Sequence, residues 1–108
     1  NLPKVKEITA REVKAKQDAR EQFGLYDVRT SEEVEVAQIV GAVTLDENTR
    51  NQLETSDKSA PIVFFCHHGG RSQSIAEHFA ALGFINVFNL VGGIDAWSQD
   101  VDPSVRRY

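Results

Sequence analysis

Pro61-Ile62-Val63-Phe64-Phe65-Cys66-His67-His68-Gly69-Gly70-Arg71-Ser72 is where the chain declares its architecture. Four apolar residues behind a proline read as a buried strand. That strand runs into the single cysteine of the chain, and two glycines after it permit a tight turn. Beyond Ser72, Gln73 to Leu82 reads as a helix, with Ile75, Phe79 and Leu82 at core spacing. A cysteine in a strand–loop–helix turn lies beside unpaired amide N–H groups and the positive end of a helix dipole. Both favour thiolate over thiol, and the thiolate is the nucleophile. A lone cysteine in mid-strand reads instead as a small buried hydrophobe. Here Gly69, Gly70, Arg71 and the helix start make Cys66 the candidate nucleophile.

Upstream, Val5 to Ile8 reads as a first strand, and Thr9-Ala10-Arg11-Glu12 as a capping box that starts a helix to about Arg20. Phe23 to Val28 is a second strand with Arg29 at its exit. Thr30-Ser31-Glu32-Glu33 is a second capping box, opening a short helix through about Ala37. Gly41 to Leu45 is a third strand, Asp46 to Glu54 a helix, and Thr55 to Ala60 a polar loop. Downstream, Gly83 ends the helix after the cysteine loop as its C′ residue. Asn86 to Leu90 is a fifth strand, and Val91-Gly92-Gly93 turns into a short helix around Ile94 to Ser98. The tail from Asp100 to Tyr108 reads as irregular.

Strands alternating with helices predict an α/β fold: a five-stranded, mostly parallel sheet with helices on both faces and right-handed crossovers. Ligands bind such sheets beyond the carboxyl ends of the strands. Asp27 to Arg29, Cys66 to Arg71 and Val91 to Gly93 all lie at that edge.

The totals set bounds. A chain of 108 residues is one ordinary domain, and 41% hydrophobic with 26% charged residues is normal for a soluble globular chain. Net charge of −4 argues against a nucleic-acid or anionic-membrane surface. No apolar run has the length to span a bilayer, and no signal-peptide pattern opens the chain. One cysteine excludes an internal disulfide or a two-cysteine relay and fits a reducing compartment, so a cytoplasmic location is expected. Asn1 in place of a methionine suggests a processed product or the C-terminal part of a longer protein.

Taken together, these residues resemble the single-domain rhodaneses. Four features carry the resemblance: Leu25-Tyr26-Asp27-Val28-Arg29 with Glu32-Glu33 following; Gly41-Ala42-Val43; the loop Cys66 to Arg71 with Ser72; and Val91-Gly92-Gly93-Ile94-Asp95-Ala96-Trp97. They span about residues 5 to 100, nearly the whole chain. The resemblance implies one rhodanese-like domain over residues 1–108 and transfer of a sulfane sulfur through a persulfide on Cys66. It also makes His67, His68, Gly69, Gly70 and Arg71 the candidate substrate-binding residues, with no cofactor and no metal. Gln38-Ile39-Val40-Gly41 departs from the usual His-Ile-Pro-Gly and lacks its rigid proline. The double histidine occurs in a subset of the family rather than in its thiosulfate-specialised members. Related cell-cycle phosphatases and arsenate reductases carry five residues between cysteine and arginine, a wider cradle for a tetrahedral oxyanion. Here there are four, His67 to Gly70, which favours sulfur.

Arg71 can bind an anionic donor or pin the loop to a neighbouring carboxylate, and both readings stand. His67 and His68 read as exposed loop positions that either add charge near the thiolate or contribute only amides. A metal site from Cys66, His67, His68 and His78 is not expected, because the loop must curl around Cys66 and His78 lies well along the helix. Asp27 and Arg29 are expected to brace the sheet edge, and Trp97 to pack in the core. The expected partners are a small-molecule sulfur donor and a thiol or cyanide-like acceptor, with a protein acceptor or fused domain as the variant. Nucleic acid and membrane are not expected. Three readings follow: a sulfurtransferase, a sulfur-carrying or regulatory module with little turnover of its own, and, less favoured, a phosphatase or arsenate reductase.

Overall fold

The computed structural model describes residues 5–107. Its elements are β1 (Lys6–Ile8), α1 (Ala10–Asp18), β2 (Gly24–Asp27), α2 (Ser31–Val36), β3 (Val43–Thr44), α3 (Glu47–Glu54), β4 (Ile62–Phe65), α4 (Gly70–Ala81), β5 (Val87–Leu90) and α5 (Gly93–Asp100). The five strands form one sheet in the order β1-β5-β4-β2-β3, and every pairing is parallel. The expected α/β architecture is therefore the observed one.

β4 is the central strand, and each of its residues is buried. Because successive side chains point to opposite faces, its apolar run feeds two cores. Val63 and Phe65 join Val13, Leu25, Ile94 and Trp97 on one side, and Ile62 and Phe64 join Leu53, Phe79 and Phe84 on the other. The first core is covered by α1 and α5, the second by α3 and α4. Burying a side chain of Phe size stabilises the fold by roughly 1.5–3 kcal/mol relative to leaving it exposed, so Phe64 and Phe65 alone commit β4 to the centre.

Both capping boxes form, at Thr9 with Glu12 and at Thr30 with Glu33. Several boundaries shift. α1 stops at Asp18 rather than near Arg20, which takes a left-handed conformation (φ 56°) that no helix continues through. β1 excludes Val5. β3 shrinks from Gly41–Leu45 to Val43–Thr44, an edge strand with one neighbour and both residues exposed. α4 begins at Gly70, before Ser72 and not after it, because Gly69 adopts φ +116° and serves as its N-cap. α5 runs on to Asp100. Leu82 is corrected from core to surface: it caps the end of α4 and is 41% exposed, while Phe84 is buried in the second core. Ile75 is half-buried and Phe79 fully buried. The tail is turns and bends as far as Arg107, and Tyr108 lies outside the described residues.

The edge at the carboxyl end of β2 is held by a buried ion pair. Arg29 Nη2 donates to Asp27 Oδ2 at 2.6 Å and Nε to Oδ1 at 2.9 Å, and the two side chains are 0% and 4% exposed. The same guanidinium donates to the carbonyls of Glu33 (3.2 Å) and Ala37 (2.7 Å), the last turn and C-cap of α2. Asp27 and Arg29 thus fasten α2 to the sheet. Removing one partner of a buried pair strands a charge, at a cost of about 3–5 kcal/mol. Arg29→Ala should lower unfolding free energy in urea by about that much, whereas Lys14→Ala, which breaks the exposed Lys14–Asp18 pair, should change it by about 0.5 kcal/mol or less. Equal, small losses in the two variants would contradict the bracing role.

Candidate active site

Cys66 follows β4 directly and is 2% exposed. Its Sγ accepts a hydrogen bond from the Gly69 amide at 3.1 Å, and Ser72 Oγ lies 3.4 Å away. The amides of Arg71 and Ser72, in the first turn of α4, also act on the sulfur. These are the orphan N–H groups of a helix start, directed at a single atom. Burial is the largest influence on the thiol and pushes its pKa up. The Ser72 hydroxyl and the amides of Ser72, Gly69 and Arg71 together outweigh it, and the pKa falls below the ordinary cysteine value.

The loop's carbonyls turn the other way. Ile94 N–H donates to the Cys66 carbonyl at 2.9 Å and Asp95 N–H to that of His67 at 3.2 Å, so the start of α5 caps the outside of the loop. This approach needs Gly93: a Cβ there would lie 2.2 Å from the Cys66 carbonyl oxygen and 2.5 Å from that of His67. The burial of His67 corrects one expectation. His68 is exposed, but His67 is half-buried with Nε2 shut off from solvent, and the two rings stack with centroids 4.0 Å apart.

Gly70 contributes the first residue of α4 and no side chain. Arg71 donates to Glu33 of α2, Nη1 to Oε1 at 2.6 Å and Nη2 to Oε2 at 3.0 Å. Arg71 therefore meets a carboxylate of α2 in this structure. A cavity of about 370 Å³ lined by Val28, Leu45, Arg50, Arg71, Ser74 and Ile75 opens beside it. A cavity of about 410 Å³ at the other end of the sheet, lined by Gly24, Tyr26, Pro61 and Ile62 among others, does not include Cys66. His78 faces Glu54 (2.8 Å), away from the loop, and among the described residues no group of three or more His, Cys, Asp or Glu is placed to hold a metal.

Two residues of this neighbourhood are not evident in the sequence reading. Asn89, 8% exposed, accepts from Ser72 Oγ at 2.5 Å through Oδ1 and donates through Nδ2 to the Gly69 carbonyl and Gln73 Oε1, each at 3.1 Å. Its signal was a polar residue in an otherwise apolar strand, one residue from the strand's exit. Glu33 reads in the sequence as a helix cap and as part of the Asp27–Glu33 feature; its reach to Arg71, 38 positions away, has no local signature.

The fold and this loop define a parallel α/β domain with a thiol cradled between the central strand and the following helix. The family model described as Rhodanese-like domain matches residues 9–100, and the chain belongs to that family. A thiosulfate sulfurtransferase (GlpE) of Coxiella burnetii is 36% identical over 72 residues, covering 66% of this chain and 67% of its own. A Bacillus subtilis protein carrying a sulfurtransferase name (YtwF) is 36% identical over 100 residues, covering 92% and 96%. An adenylyltransferase and sulfurtransferase of Zea mays is 34% identical over 115 residues; the match takes in 99% of this chain but 24% of that longer protein. Among solved structures, a rhodanese-like domain protein from Staphylococcus aureus superposes with a TM-score of 0.75 at 28% identity, covering 96% of this chain and 99% of that one.

The depressed Cys66 pKa has a measurable consequence. Because the folded value lies below the unfolded one, about 8.5, the thiolate's contribution to stability is full above the unfolded value and is lost as pH falls through the folded value. The rate of iodoacetamide alkylation, which follows Cys66 alone, should therefore have its midpoint below that of a free-cysteine peptide. Ser72→Ala removes the largest of the lowering influences and should move that midpoint up. A native midpoint at or above the peptide's would mean that desolvation dominates.

Proposed function

We propose that the chain is a rhodanese-type sulfurtransferase in which Cys66 carries the transferred sulfur. One observation bears most of the weight: the buried Cys66 sulfur sits against the Gly69 amide and the start of α4, with its pKa lowered. In the first half-reaction the thiolate attacks the outer, sulfane sulfur of the donor. A new S–S bond forms, the donor's S–S bond breaks, and its electron pair leaves on the carrier. With an alkyl persulfide, Cys66–S⁻ and R–S–SH give Cys66–S–SH and R–S⁻. With thiosulfate the products are the Cys66–S–S⁻ anion and sulfite. The loop amides that stabilise the thiolate then serve the terminal sulfur. In the second half-reaction an acceptor nucleophile, a thiolate or cyanide, takes that outer sulfur and returns Cys66 to the thiolate. Gly69 and Gly70 give the loop its turn and its amides, His67 and His68 form its outer wall, and Arg71 anchors it.

A second reading keeps the chemistry and changes the setting. In the Zea mays relative the matched region is a quarter of a longer protein named for two activities. A sulfur-carrying module that delivers to a fused or partner protein is therefore the alternative. A phosphatase or arsenate reductase fits less well, with four residues between Cys66 and Arg71 and with Arg71 paired to Glu33.

Intact mass measurement after incubation with a sulfur donor should show one added sulfur on the native chain and none on Cys66→Ser. An equal gain on both proteins would remove Cys66 as the carrier. Turnover of thiosulfate and cyanide by the isolated chain separates the two settings: a persulfide that forms but does not turn over favours the module.

A further inference from the structure

The one cation of the cysteine loop is already matched by a carboxylate. Arg71 and Glu33 meet end-on through two hydrogen bonds, 2.6 and 3.0 Å, a bidentate geometry that fixes both planes. Glu33 is not a loosely swinging surface residue. Its side chain is 19% exposed, its Oε1 also accepts from the Thr30 amide at 3.2 Å, and its own carbonyl is held by buried Arg29. The carboxylate is thus anchored to the sheet through α2 and presented to the loop from outside it. Two further arginines also meet carboxylates. Arg107 donates to Asp95 at 2.9 Å, and Arg50 lies 3.5 Å from Glu54. Glu32 and Glu35 stand exposed on α2 beside Glu33.

We propose that Glu33 is the specificity-determining residue of this site: by neutralising Arg71 it disfavours dianionic sulfur donors and leaves the site to persulfides whose sulfane sulfur sits on an uncharged carrier. The inference rests on the sulfurtransferase reading and adds the substrate class to it. Thiosulfate brings two negative charges towards a thiolate and releases sulfite, also a dianion. It binds well only where a cation is free to face it, and here it must displace a carboxylate held by its own network. An alkyl persulfide brings at most one negative charge, and none in the neutral R–S–SH form that the thiolate attacks, so the Arg71–Glu33 pair opposes it far less. Glu33 acts through Arg71 and touches neither the sulfur nor the donor, so it is a positioning residue.

The test compares thiosulfate with the persulfide of 2-mercaptoethanol, reading KM and kcat separately for each. Glu33→Gln keeps the side chain's shape and removes its charge. It should lower the thiosulfate KM by about three- to fivefold relative to the persulfide KM, the range of a part-exposed ion pair. Thr30→Ala weakens the same helix cap but keeps the carboxylate, and should leave the ratio of the two KM values as it is. If Glu33→Gln does not fold, Glu33→Asp withdraws the carboxylate by one methylene and should shift the ratio in the same direction. A thiosulfate KM that is unchanged or raised, an equal shift for both donors, or the same ratio change in Thr30→Ala overturns the assignment. If the native chain takes sulfur from neither donor, the sulfurtransferase reading itself falls.

Discussion

The loop can aim its amides at the Cys66 sulfur only because its carbonyls have partners elsewhere. Every backbone polar group removed from water must find one, and a ring of inward N–H groups leaves its C=O groups pointing out. The first turn of α5 takes them, with Ile94 bonding to Cys66 and Asp95 to His67. Gly93 makes that contact possible, since any side chain there would collide with those same carbonyl oxygens. The Val91-Gly92-Gly93 turn therefore matters to the site without touching the sulfur. It sets the outside of the cradle, and the outside sets the inside.

Two anchors hold this arrangement against the sheet. On one flank, buried Asp27 and Arg29 tie α2 to the end of β2, and α2 in turn presents Glu33 to Arg71. On the other, Asn89 on β5 fixes the Ser72 hydroxyl and the Gly69 carbonyl together. Ser72 has one proton and three acceptors within reach: the sulfur at 3.4 Å, Gly69 O at 3.1 Å and Asn89 Oδ1 at 2.5 Å. When the sulfur is anionic it becomes the stronger competitor for that proton. The register that sets Phe64 opposite Asn89 and Asp27 opposite Phe65 brings both anchors to the level of the loop.

Where the residues speak locally, the sequence was legible. A four-residue apolar run ending on cysteine and two glycines fixed β4 and its loop, and Thr-x-x-Glu fixed two helix starts. Strand–helix alternation placed the three loops on one edge. What escaped was non-local or depended on a backbone choice. Glu33 and Arg71 are 38 positions apart, and nothing in either segment names the other. The start of α4 depends on Gly69 capping a helix at positive φ, which no side-chain pattern reports. Leu82 has the spacing of a core residue but falls where the helix ends, and Phe84, beyond the glycine, takes the buried place. His67 has the local signature of an exposed loop residue, and its burial depends on contacts its sequence neighbours do not report.

Everything proposed for this chain depends on the loop amides responding to the charge on Cys66, and amide chemical shifts report that directly. In a pH titration followed by ¹H–¹⁵N NMR, the signals of Gly69, Arg71 and Ser72 should move together, with one shared midpoint below that of a free-cysteine peptide. The same signals in Cys66→Ser should stay flat over that range. Amides that do not respond in the native chain, or that shift equally in Cys66→Ser, would contradict the cradle and the chemistry built on it.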